Sequence, residues 1–109
     1  MFYVCEGNLI TPLSVPVEIV RDELHPKHVQ FIADGVEKGY VIFGGPKTGI
    51  GGIVLIKAPS LEACQAFLNG DPMVAAGAQR YTVTEFQIVE HHPCLEPILA
   101  DGAGPDKEA

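Results

Sequence analysis

The chain has 109 residues, 47% of them hydrophobic and 19% charged, which fits one folded domain around a single core. Fourteen acidic residues against seven basic ones give a formal charge of −7 with no basic run, which argues against nucleic acid, where phosphate contacts dominate affinity. No apolar run approaches the roughly 20 residues of a membrane span, and the start "MFYVCEGNL" lacks the basic end and long apolar stretch of a signal peptide.

"FYVCEGNLI" (2–10) reads as a first strand. Residues 11–24 fit two patterns: Val17, Val20 and Leu24 make a helical stripe, while Leu13, Val15, Val17 and Ile19 alternate as in a strand. Pro12 and Pro16 count against a central strand, so the expectation is a loop leading into a short helix. A clearer helix covers 26–38, with Pro26 at its first position, Gly39 as its stop, and Val29, Ile32, Ala33 and Val36 as its apolar stripe. "YVIFGGP" (40–46) and "GIVLIKA" (52–58) flank the glycine-rich "KTGIG" and read as a hairpin. A second helix covers 60–70, capped by Ser60, with Leu61, Cys64, Phe67 and Leu68 pointing inward. The longest strand is "RYTVTEFQIVE" (80–90), and "DGAGPDKEA" (101–109) reads as a disordered tail. Cys5, Cys64 and Cys94 are odd in number and widely spaced, which points to free thiols in a reducing cytoplasm.

The order β-α-β-β-α-β is the ferredoxin-like arrangement, an α+β fold with an antiparallel four-stranded sheet and both helices on one face. Residues 1–92 make the domain and 93–109 a C-terminal extension, partly disordered. A 13-residue helix is about 20 Å long and a seven-residue strand about 23 Å, so helix 26–38 crosses the sheet unaided. Connectivity then gathers His28, Gly45-Pro46, Asp71 and Arg80 at one end of the sheet. Both faces of the hairpin are apolar: Tyr40, Ile42, Ile53 and Leu55 fall on one set of alternating positions, Val41, Phe43, Val54 and Ile56 on the other. Helices cover one face only, and a two-fold partner is the economical cover for the second.

His28, near the positive end of its helix, is either a neutral general base or a solvated first-turn histidine. Asp71 precedes Pro72 and "MVAAG", the pattern of a capped helical turn, and its second carboxylate oxygen is free to orient His28 or meet a ligand. His25 and His28 stand three apart, but no third ligand completes a metal site. "GGPKTGIGG" (44–52) is no phosphate loop, because Pro46 stands where that loop needs glycine and the segment joins two strands. Gly44 and Gly45 leave room for a ligand to approach the backbone, and Arg80, Lys27 or Lys47 could balance an anionic one. Cys64 belongs to a core helix and reads as inert.

The opening "MFYV", then "HPKHVQFI", "EKGYVIFGGP" and "SLEACQAFLNGDPMVAAGAQRYTVTEF" resemble the YCII-related domain over roughly residues 1–90, most specifically in "DPMVAAG" following "SLEACQAFL". The resemblance implies a dimeric α/β barrel of ferredoxin-like subunits, with an active site built on a His–Asp pair carried here by His28 and Asp71. The family histidine usually follows Arg-Pro-x; here His25 replaces that arginine and Pro26 is kept. Characterised relatives include a dehydrochlorinase of chlorinated aromatic breakdown, and the fold is similar to that of muconolactone isomerases. The implied function is a cofactor-independent, metal-free lyase or isomerase acting on a small organic acid. His28 and Asp71 would be catalytic, and Gly45, Pro46, Arg80 and His25 would contact the ligand. The competing readings are a non-catalytic domain binding a small ligand in the same cleft, and a dimer scaffold in which Asp71 only caps.

Overall fold

In the computed structural model, which describes residues 1–100, β1 (Phe2–Leu9) lies between β3 (Gly52–Lys57) and β4 (Gln79–Phe86), and β2 (Val41–Pro46) flanks β3. The order is β2-β3-β1-β4 with every pairing antiparallel. Helical residues 17–38 precede β2 as α1 (Val17–Ile19), a π turn (Val20–Leu24) and α2 (His25–Lys38); α3 (Leu61–Leu68) and α4 (Pro72–Ala75) precede β4. The α+β, ferredoxin-like order expected from the sequence is the one observed. The tail at 101–109 lies outside the described residues.

Local chemistry accounts for the element ends. Ser60 Oγ accepts from the Ala63 amide and starts α3. Gly39, at φ 90°, turns α2 off while its amide donates to the Gly35 and Val36 carbonyls. The β2–β3 turn closes through the Lys47 amide, which donates to the Gly51 carbonyl at 2.8 Å. Tyr3, Cys5, Val41, Val54 and Ile56 of the sheet form one buried cluster with Cys64 and Leu68 of α3. Rings from three segments extend it: Phe31 and Tyr40 each stack on Phe67 with centroids 4.7 Å apart.

Four elements depart from the sequence expectation. The loop at 11–16 does lead into helix, but that helix does not end before Pro26; it runs on into α2 through the π turn, where the His25 amide bonds to the Val20 carbonyl five residues back. Pro26 has no amide hydrogen and its ring crowds the carbonyl four residues behind, and the widened turn absorbs both. Val29 and Val36 are more than half exposed, and Gly35 is the buried residue of α2, so the face packed on the sheet is rotated from the expected stripe. A bulge between Val41 and Phe43 pairs Phe43 with Leu55, so Phe43 shares the face of Leu55 and Ile53 rather than that of Val54. β4 stops at Phe86, because Phe86 pairs with Phe2 and β1 offers nothing beyond it.

The sheet face turned from the helices carries Phe43, Ile53 and Phe86, exposed by 56%, 42% and 37%. In the extension, a 3-10 turn (Pro93–Leu95) leads into α5 (Glu96–Ala100), and the Ile98 carbonyl accepts from Lys57 Nζ at 2.7 Å. Lys57 ends β3, so this contact lies at the end of the sheet opposite the β2–β3 turn.

Gly35 lets α2 lie close on the sheet: a β-carbon there would stand 2.8 Å from both Phe67 Cζ and Val41 Cγ2. Gly35→Val should therefore destabilise the domain by about 1–3 kcal/mol despite the better helix propensity of valine. Urea unfolding reads the change as a lower midpoint with an unchanged slope.

Candidate active site

Asp71 is fully buried, at the junction between α3 and α4. Its Oδ1 accepts from the Met73 amide at 2.9 Å, the cap that starts α4. Its Oδ2 is the meeting point of two other elements: the distance to His28 Nδ1 of α2 is 2.7 Å, and Tyr81 of β4 donates its hydroxyl at 2.8 Å. Burial pushes the Asp71 carboxyl up, but the hydrogen bonds from His28, the Met73 amide and Tyr81, with the electrostatic pull of His28, outweigh it and hold it below its ordinary value of 3.8. Burial first, then the Asp71 charge and the bond to it, push the Tyr81 hydroxyl well above its ordinary 10.0, so it stays a neutral donor.

An ionised carboxylate only accepts, so His28 must carry its proton on Nδ1. Nε2 makes no hydrogen bond among the described residues, and the ring borders an open cleft of about 650 Å³. His28 keeps 21% of its side chain accessible while Asp71 has none. Together they make an imidazole held in one tautomer by a buried carboxylate.

The cleft is mostly apolar. Val17, Val20, Val29 and Ile32 line it from the helical side, and Gly44, Gly45 and Pro46 from the β2–β3 side. His25 lines it too, its ring centroid 6.0 Å from that of His28. Among the described residues no cluster of three metal-ligating side chains is present. Thus His28, Asp71, Gly45 and Pro46 come together as connectivity predicts, and His25 stands beside them. Arg80 does not join them: it pairs with Asn8 and borders a separate depression of about 370 Å³ with Gln65 and Asn69. Strand alternation turns Tyr81, not Arg80, toward the helices, because Tyr81 and the inward Val83 stand two apart. Lys47 is held by Glu6 and Asn8 at 2.9 and 2.6 Å. His28 also lies beyond the reach of a helix-end field, since the helical run starts at Val17 and that field fades within the first turn.

Two site residues escaped the sequence reading. Tyr81 was signalled by the alternation of "RYTVTEF". Arg21 lines the cleft in place of Arg80, and it is legible only once the helix is known to run back through Pro26.

Sequence comparison matches residues 1–87 to the YCII-related domain. The chain belongs to that family. Two solved structures are similar in fold. One is 5-chloro-2-hydroxyhydroquinone dehydrochlorinase (TftG) from Burkholderia phenoliruptrix AC1100 in complex with 2,5-dihydroxybenzoquinone: TM-score 0.64, 17% identity, 80% of this chain and 94% of that one covered. The other is muconolactone isomerase: TM-score 0.64, 16% identity, 85% and 92% covered. Both belong to the dimeric α/β barrel fold, and at such identity they establish architecture alone. No curated sequence matches the chain. No helix among the described residues is long and apolar enough to cross a membrane.

The Asp71 carboxyl is depressed on folding, so its contribution to stability is complete above about pH 5 and is lost as the pH falls through the folded value. Asp71→Asn keeps a capping oxygen but loses the charge. At pH 7 it should be less stable than the wild type by about 1–3 kcal/mol. In urea titrations the gap should narrow steadily below about pH 4.

Proposed function

We propose that the cleft is the active site of a cofactor-independent lyase or isomerase acting on a small organic acid. The observation that carries this reading is the 2.7 Å contact between His28 Nδ1 and the fully buried Asp71 carboxylate, which orients the ring and leaves its Nε2 without a hydrogen bond on the cleft wall among the described residues. Nε2 would take a proton from a carbon next to an electron-withdrawing group, and Asp71 would stabilise the imidazolium that forms. The freed electron pair then either expels a leaving group such as chloride, giving elimination, or returns to a different carbon as the proton is handed back, giving isomerisation. Neither path needs a metal or a redox cofactor. The names of the two structural neighbours, a dehydrochlorinase and a lactone isomerase, agree with this pair of outcomes.

The same reading takes the subunit as half of a homodimer. Phe43, Ile53 and Phe86 leave an apolar sheet face uncovered, and a second copy applied there by a two-fold axis would bury it. The cleft borders the helical side of the sheet, so dimerisation would leave it accessible.

Turnover tests the catalytic claim. A set of chlorinated ring acids and carboxylate-bearing unsaturated lactones, followed by chloride release and by absorbance, should include a substrate of the wild type. On it His28→Gln should lose about 10²–10⁴-fold in kcat, and Asp71→Asn a smaller factor, with folded-state spectra unchanged. Binding that raises the melting temperature with no product formed would favour a ligand-binding domain instead. For the assembly, sedimentation should give twice the 11.7 kDa chain mass, and Phe43→Glu should give the monomer.

A further inference from the structure

Three residues, 21, 25 and 28, stand at i, i+4 and i+7 along the continuous helical run, and all three line the cleft. Arg21 is the more exposed end of this row, with 68% of its side chain accessible against 21% for His28, which places it toward the mouth. Among the described residues no aspartate or glutamate lines the cleft, although the chain holds fourteen acids against seven bases; Asp71 sits behind the wall, bonded to His28 and Tyr81. An acidic protein has thus kept one concave surface whose ionisable groups are cationic or neutral.

Arg21 is largely exposed and keeps donors to spare. Its Nε and Nη2 donate to the Asp22 carboxylate at 2.7 and 2.9 Å, and Asp22 itself does not line the cleft. Two of the five guanidinium donors are used, and the others remain for a ligand. The remaining walls are mostly aliphatic side chains and glycine backbone, with Gln79 and Tyr81 as the other polar side chains, and they offer an apolar body ample contact.

We infer that Arg21 and His25 form an anion subsite at the cleft mouth, which takes the carboxylate of a small unsaturated or single-ring acid. The inference rests on the reading of His28 as the reacting base and adds the direction in which the substrate lies. The carboxylate sits at the mouth, and the carbon that loses its proton lies between one and two helical turns further in, roughly 5–10 Å away. A planar carboxylate suits the remaining Nη1–Nη2 edge of the guanidinium, whereas a neutral amide of the same shape would place donors against donors.

The test uses matched probes: benzoate, 4-hydroxybenzoate and hexa-2,4-dienoate, each beside its primary amide, titrated into the full chain by calorimetry or by amide chemical shifts. At least one acid should bind the wild type about tenfold or more tighter than its amide. Arg21→Gln should abolish that preference, Arg21→Lys should restore part of it, and Arg80→Gln should leave it intact. His28→Gln should keep the preference while losing turnover. Equal affinity for acids and amides, binding of neither, or a preference that survives Arg21→Gln each overturns the subsite. An Arg21-dependent preference with turnover untouched by His28→Gln would instead leave the subsite standing and remove the catalytic reading alone.

Discussion

Asp71 carries a charge with no exposure to solvent, and the structure around it follows from making that tolerable. Moving a carboxylate out of water costs several kcal/mol unless its lone pairs are met. Here they are met by three donors from three separate segments: the first turn of α4, helix α2 and strand β4. Each donor thereby loses freedom of its own. Met73 is fixed as the start of a helix, Tyr81 is kept neutral, and His28 is confined to one tautomer. A structural demand and a chemical one are answered by the same two oxygens. The question of whether Asp71 caps or serves a site therefore has no single answer: Oδ1 caps, and Oδ2 organises the cleft wall.

The fold supplies the rest by position. The β2–β3 turn, the helical overhang before α2 and the start of β4 all lie at one end of the sheet, so the cleft is walled by segments far apart in sequence. The C-terminal extension meets Lys57 at the other end, which leaves the cleft free of that contact. The buried cluster that holds the sheet to its helices, with the ring stack of Phe31, Phe67 and Tyr40, stands between the two ends. That separation gives the site a rigid floor and an open mouth.

The element order was legible in the sequence because its signals are local: β-branched runs, a glycine turn, a serine cap, and an aspartate before proline. The His28–Asp71 pairing was legible because connectivity brings those segments to one rim, although the length estimate behind it started the helix at Pro26 and the helical run begins at Val17. The misreadings arose where tertiary structure overrides a local rule. Pro26 resembles a helix start, but a π turn lets the helix pass through it, and this hid Arg21. Val29 and Val36 look like core, yet the close approach at Gly35 sets which face of α2 meets the sheet. Gln87 to Glu90 have strand character and no strand to pair with. Arg80 and Tyr81 are neighbours in sequence on opposite faces of the sheet, and only the register of β4 against β1 decides which of them reaches Asp71.

The account stands on the proton of His28 being held at Nδ1 by a charged Asp71, so that Nε2 faces the cleft as an acceptor. Long-range proton–nitrogen correlation spectra of the His28 ring, taken at a pH where the ring is neutral, read this directly. The account predicts a protonated Nδ1, with its hydrogen shifted far downfield by the short bond to Asp71, and a bare Nε2. A neutral ring protonated at Nε2, or one exchanging freely between tautomers, would contradict it.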